Sequence, residues 1–267
     1  KKKKKKKKDR KMTENQELQA FDETLKEFLK EPDHFLTSLA LVNHLQRTPV
    51  LAAQDLYAVE VEGKKVVPVF TSEQDLQSFK ATQESAREQT WIERSSLDIL
   101  TQLVQAELFG IAFNLKEDGD FSNTTLFASS ELIQFINYFT QTLNNLLGEE
   151  NQKADSKDKI YLVPAFIHKR EEDGQDDRFF ATMSNAEGQS YVPVFTNLTS
   201  FAKWYGNETF GLPFRKAKGT ILQWPLSEIY QPSTGENELD KVQGIVINPF
   251  DEQPELVDWS YFEGDSE

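Results

Sequence analysis

The sequence predicts an α/β protein of mixed α+β character: two tandem repeats of a small mixed-sheet unit with flanking helices. Three observations predict it. The run Val67, Pro68, Val69, Phe70, Thr71 recurs as Val192, Pro193, Val194, Phe195, Thr196, identical at all five positions at an offset of 125. Short β-rich runs around glycine-containing turns alternate with stretches whose apolar residues fall at helical spacing. A polar segment over residues 148–159 separates two apolar-patterned regions.

The first eleven residues hold nine lysines and read as a leader outside the fold, because such a run buries no apolar surface. Met12 reads as the natural start. The expected domains are 12–150 and 151–267.

Over residues 14–30, Leu18, Phe21, Leu25, Phe28 and Leu29 share one helical face. Pro32 stops that helix, and Asp33 is placed to cap a second over 34–46. A strand follows at 49–53, then a hairpin of 56–61 and 66–70 around Gly63. Thr71 or Ser72 caps a helix carrying Leu76 and Phe79. A helix over 96–106, a strand over 111–115 and a short strand over 124–127 lead to a helix over 131–147, closed by Gly148. The second half opens with a strand at 160–167. A hairpin of 179–183 and 191–195 follows, then a helix with Leu198, Phe201 and Trp204 capped by Thr196 or Asn197, and a strand at 245–247.

The shared offset also carries Gly63 onto Gly188, Leu76 onto Phe201 and Phe79 onto Trp204. Gly110, Ile111, Ala112, Phe113, Asn114 then parallels Gly244, Ile245, Val246, Ile247, Asn248 at an offset of 134, which fits an insertion in the looser region 206–237. A proline donates no ladder hydrogen bond, so Pro68 and Pro193 are expected on an edge or at a bulge. Packing, an edge proline and a helix cap account for each shared residue. A functional reading makes Pro68, Thr71, Pro193, Thr196, Asn248 and Pro249 the rim of a groove shared by the two strand ends, open to a partner or ligand.

These residues carry a family resemblance as well. The Val-Pro-Val-Phe-Thr segment before an amphipathic helix, and the later Gly244, Ile245, Val246, Ile247, Asn248, Pro249, resemble the SseB family (enhanced serine sensitivity protein), in its N-terminal-type domain. The second copy keeps the pattern. The first departs from it at Ala112, Phe113 and Leu115, the last standing where the second has Pro249. The resemblance implies a bacterial cytosolic protein with no established activity. It supplies no catalytic residues.

Composition narrows the function classes. Without the lysine-rich start, the charge balance moves from −14 to about −23, a body that phosphate would repel, so nucleic acid is not an expected partner. The same acidity suits a basic protein partner, or an acidic decoy for a nucleic-acid-binding protein. The chain has no cysteine, which excludes disulfides and thiol chemistry and fits the cytoplasm. No apolar run reaches the roughly 20 residues that span a bilayer, so no membrane is expected.

No phosphate loop, dinucleotide fingerprint or nucleophile elbow is present. His34 and His44 sit ten apart on one expected helix and cannot share a metal. The acidic runs at 117–120 and 171–177 lack calcium-loop spacing and read as solvated turns. Arg215, Lys216 and Lys218 form one basic spot that could hold an anion. The sequence therefore predicts no catalytic residues, no cofactor and no metal. It predicts a non-catalytic interaction or regulatory protein, with an unidentified protein partner or small metabolite; a homo-oligomer is compatible with it. The alternative is an enzyme or metabolite binder with a site between the repeats, using carboxylates with Arg215 and Lys216.

Overall fold

The computed structural model describes residues 2–263, with side chains from Asn15 onward. Residue 1, the side chains of the rest of the expected leader, and residues 264–267 lie outside the described set. The fold is α/β, with helices set among small mixed sheets. Two compact units divide the chain, one ending at Thr140 and the other starting at Gln141.

The first unit begins with α1 (Lys2–Lys30) and α2 (Phe35–Arg47). The helical backbone starts well before the expected residue 14, since lysine is a good helix former and nothing in the run breaks the helix. α2 is capped by His34 rather than Asp33: His34 Nδ1 accepts from Thr37 N at 3.2 Å. Then come β1 (Val50–Ala53), β2 (Val59–Val61), β3 (Lys64–Val69), α3 (Glu73–Thr82), α4 (Glu84–Arg87), β4 (Trp91–Arg94), α5 (Ser96–Gln105), β5 (Gly110–Phe113), β6 (Thr125–Ala128) and α6 (Ser129–Leu147). One sheet has the order β2-β3-β5-β6 and a second pairs β1 with β4. β3 and β5 are parallel, with Val67 beside Ile111 and Val69 beside Phe113, so the segment between them is a crossover. An antiparallel bridge joins Leu51 of β1 to Phe70, just past β3.

The apolar face expected on α1 is the one buried: Phe21, Leu25 and Phe28 face the core. Phe21 stacks on His44 with centroids 5.2 Å apart and meets Phe113 at 5.9 Å. Phe28 meets Phe127 and Phe135. These ring contacts hold α1 against β5, β6 and the start of α6. Across the sheet, Phe70, Leu76, Phe79 and Ala86 form a second cluster, with Trp91 and Tyr57 packed on it.

The division between units falls inside α6, ahead of the polar segment expected as a linker. That segment is folded: α7 (Glu149–Lys153) occupies it, and Asn151 accepts from Ile160 N at 2.6 Å and donates to Ile160 O at 3.2 Å. The second unit continues with β7 (Tyr161–Lys169), β8 (Asp176–Phe180), β9 (Met183–Ser184), β10 (Ser190–Val194), α8 (Leu198–Tyr205), α9 (Gly211–Lys216), β11 (Thr220–Trp224), α10 (Leu226–Tyr230), β12 (Glu236–Glu238), β13 (Val242–Ile247), β14 (Glu255–Asp258) and α11 (Ser260–Glu263). Region 206–237, expected to be loose, therefore holds regular elements.

Its sheets have the orders β14-β13-β10-β9 and β11-β7-β8-β12. β10 and β13 are parallel, with Val192 beside Ile245 and Val194 beside Ile247. Leu162 of β7 bridges antiparallel to Phe195. Tyr161, Val163, Val192, Val194, Leu226, Ile229, Ile245 and Ile247 close the core.

Candidate functional site

Parallel strands end on the same side of a sheet, and in open α/β sheets ligands gather at those carboxyl ends. In the first unit β3 leads through Phe70 and Thr71 into α3, whose N-cap is Ser72, accepting from Asp75 N. The first-named cap candidate, Thr71, has another role. β5 leaves its sheet at Asn114, which takes φ 51°, a left-handed conformation that asparagine tolerates better than most residues. That turn lets Asn114 N donate to Val69 O at 2.8 Å and aims the side chain back at Thr71. Asn114 Oδ1 accepts from Thr71 N at 2.8 Å, and Nδ2 donates to Thr71 Oγ1 at 2.8 Å.

Around this pair lies a network the sequence reading missed. Thr71 Oγ1 donates to Asp22 Oδ1 of α1 at 2.6 Å, and Asn123 Nδ2 donates to the same oxygen at 2.6 Å. Lys26, one turn along α1, sits 2.8 Å from Asp22 Oδ2. Asn123 Nδ2 also reaches Asp75 Oδ2 at 2.8 Å, and Lys116 joins Asp75 Oδ1 at 2.7 Å to Asn123 Oδ1 at 2.9 Å. Asn114 Nδ2 additionally donates to Asn123 O. Two carboxylates thus face two ammonium groups, and each polar group of the clasp is matched.

Asp22, Thr71, Asp75, Asn114 and Asn123 are all buried. Burial alone pushes the Asp22 carboxyl up; the bonds from Lys26, Thr71 and Asn123 outweigh it and hold the group below its ordinary value. The Lys26 ammonium is held above its usual value, first by its bond to Asp22. A carboxylate tuned downward is a poor proton shuttle near neutrality. Thr71, with 2% of its surface exposed, has its hydroxyl proton committed to Asp22 and is closed to substrate. The chemistry of this cluster is clasping: it fastens α1 to the strand ends.

The second unit has a smaller counterpart. Asn248, φ 49°, accepts from Thr196 N at 3.1 Å and donates to Thr196 Oγ1 at 2.8 Å; its own N donates to Val194 O. Asn197 caps α8, accepting from Ser200 N at 2.8 Å. Asp251 accepts from Ser200 Oγ at 2.7 Å and Lys203 Nζ at 2.9 Å, and those bonds, Lys203 first, hold its carboxyl below the ordinary value. Thr196, Asn248 and Pro249 are only half-buried.

The prolines need a correction. Pro68 and Pro193 lie in β3 and β10, which have neighbours on both sides, and neither sits at a bulge; the register shift in β10 falls between Ser190 and Tyr191. Val69 turns its carbonyl to β5, so by alternation Pro68 turns its nitrogen the other way. On that side β2 has ended opposite Val66, and the next contact is the Leu51–Phe70 bridge. Pro193 occupies the same kind of gap, between Tyr191, the last residue paired to β9, and the Leu162–Phe195 bridge. A missing N–H costs nothing there.

The basic spot does not converge. Arg215 Nε donates to Tyr205 O at 3.2 Å, and the guanidinium lies 5.3 Å from the Tyr205 ring centroid. Lys216 and Lys218 are exposed around the end of α9, where cations complement the helix dipole.

Beside the clasp runs an open groove of about 740 Å³, lined by Leu18 and Asp22 of α1, Leu51, Glu73, and Trp91 to Glu93 of β4. Leu51 exchanges both backbone bonds with Phe70, at 2.9 Å each, so Val50 and Ala52 turn theirs to β4. Their partners are Arg94 and Ile92. Alternation then leaves the backbone groups of Trp91 and Glu93 on the outer edge, which pairs with no other strand among the described residues. Every charged residue lining the groove, Asp22, Glu73 and Glu93, is acidic.

Among the described residues no helix is long and apolar enough to cross a membrane. No family model matches the chain, and no curated protein matches it. Among solved structures the chain is similar to Anabaena Tic22, described as a protein-transport protein, at 13% identity and a TM-score of 0.21, over 78% of this chain and 92% of that one. A superposition that loose carries no argument about fold or function.

Proposed function

We propose that the protein is a non-catalytic, cytosolic interaction protein that holds a segment of a protein partner in the groove between α1 and β4. One observation carries the reading: the groove is lined by β4, whose outer edge pairs with no other strand among the described residues, while the polar side chains next to it are consumed by one another. An unpaired edge beside a groove is what strand addition by a partner uses. Closed, buried carboxylates and hydroxyls are what a scaffold uses.

We further propose that the two units descend from one duplicated module of the SseB family. Three matched features support it: the parallel pairs Val67–Ile111 and Val192–Ile245, the Leu51–Phe70 and Leu162–Phe195 bridges, and the left-handed asparagine that holds a threonine in each unit.

The test is to pan a random-peptide library against the full chain and follow amide hydrogen exchange with the recovered peptides. Protection of the Trp91 and Glu93 amides is the expected result. Recovered peptides that leave both amides unprotected, or turnover of a small molecule by the pure protein, would overturn the reading.

A further inference from the structure

We propose that the segment taken by the β4 edge is extended and alternates basic with apolar residues, a basic side chain meeting Glu93 in the acidic field that Glu73 extends. The inference deepens the reading of the groove as the binding surface and rests on it. β4 offers the outward backbone groups of Trp91 and Glu93, two residues apart and therefore on one pleat face. A strand laid against them places one residue opposite Glu93 and, on the other face, one opposite Ile92. Glu93 and Glu73 are exposed, and Ile92 is 40% exposed although apolar. The complement is therefore a lysine or arginine opposite Glu93 and an aliphatic residue opposite Ile92.

The groove wall repeats that preference. Asp22 is already neutralised by Lys26, whereas neither Glu73 nor Glu93 is in an ion pair among the described residues. A second copy pairing β4 with β4 in the register that sets Glu93 opposite Glu93 would bring like charges together, so the charge that admits a basic strand disfavours that self-pairing.

The test uses the full chain and two fluorescently labelled, end-capped peptides, one alternating lysine with valine and one alternating glutamate with valine. The lysine peptide is expected to bind with an affinity that falls as salt rises, and the glutamate peptide to show no binding. The paired reversal Glu73→Lys with Glu93→Lys should weaken the lysine peptide by about tenfold or more. Glu93→Pro should abolish binding while leaving the circular dichroism unchanged, because the N–H it removes is not used by β1. If Glu93→Pro fails to fold, the charge reversal and exchange protection at Trp91 and Glu93 decide in its place. Equal binding of both peptides, each lost in Glu93→Pro, overturns the basic assignment and leaves the edge as the binding surface. Binding that ignores both Glu93→Pro and the charge reversal overturns the groove reading as well. Failure of the lysine peptide to bind overturns the inference.

Discussion

Asn114 grips Thr71 at two points, its amide oxygen taking the backbone N–H and its amide nitrogen donating to the hydroxyl, both at 2.8 Å. The grip ties the end of β5 to the end of β3 across 43 residues of sequence. It also orients the Thr71 hydroxyl, whose proton then has Asp22 as its partner.

Removing that partner should be costly. Asp22→Ala leaves the buried Thr71 Oγ1 donor without its acceptor, one of the two Asn123 Nδ2 bonds unmade, and Lys26 without its carboxylate. The expected loss is about 2–4 kcal/mol. Asp22→Asn, which keeps an acceptor but loses the charge, should fall between. Urea denaturation followed by circular dichroism measures both; a loss within error of zero would show that α1 is not held by the clasp.

The two threonines should respond unequally. Thr71→Val removes a fully enclosed hydroxyl that both donates and accepts, and is expected to cost about 2–3 kcal/mol. Thr196→Val removes a half-exposed hydroxyl whose partners water can serve, and is expected to cost about 1 kcal/mol or less. Equal costs would mean that burial is not what separates the two sites.

Stability should depend on pH at Asp22, His44 and Lys26, the first two losing their contribution as pH falls and the last as it rises. The Asp22 carboxyl is depressed below 3.8, so its contribution is present above that value and is lost as pH falls through the folded pKa. Lys26 is raised above 10.5, so its contribution holds below that value and is lost as pH rises through the folded pKa. His44 is depressed below 6.5 by burial, partly offset by Glu17. Burial favours the neutral ring, so stability declines as pH falls from 6.5 toward its folded pKa. His44→Gln should flatten the decline below neutrality and leave the most acidic limb, set by Asp22 and its fellow carboxylates. A chemical-denaturation series across pH reads all three.

Gly110 and Gly244 should not tolerate alanine. A Cβ at Gly110 would run into the backbone carbonyl of Phe127, and one at Gly244 into that of Val257. Each carbonyl belongs to the antiparallel neighbour, β6 or β14, so relief requires the strands to part. Each substitution is expected to cost about 2–4 kcal/mol, seen as an earlier thermal transition.

Much of the fold was legible because its rules are local. The α1 face of Phe21, Leu25 and Phe28 follows from helical spacing alone. The β2–β3 hairpin follows from Glu62 and Gly63, which take φ 50° and 77°. The clasp was less legible. Its one sequence signal is Asp22 lying four residues past Leu18 and three before Leu25, an acid on an apolar stripe. Asn123, 101 residues away, gives none, because nothing local distinguishes it from the solvated turn it follows. β4 was missed for a related reason: four residues with one exposed edge carry too little periodicity to read as a strand.

By itself, the sequence determined the apolar face of α1, where the hairpin turns fall, and that one five-residue pattern occurs twice. Those are consequences of side-chain chemistry acting within a few residues. Only the tertiary structure decided that Asp22 would clasp Thr71 and Asn123, that Pro68 would sit in a gap between two pairings, and that β4 would pair with β1 alone among the described residues. Each of those depends on which distant segments become neighbours, and that is settled by burying the cores, which brings chemically ordinary residues into contact without marking them beforehand.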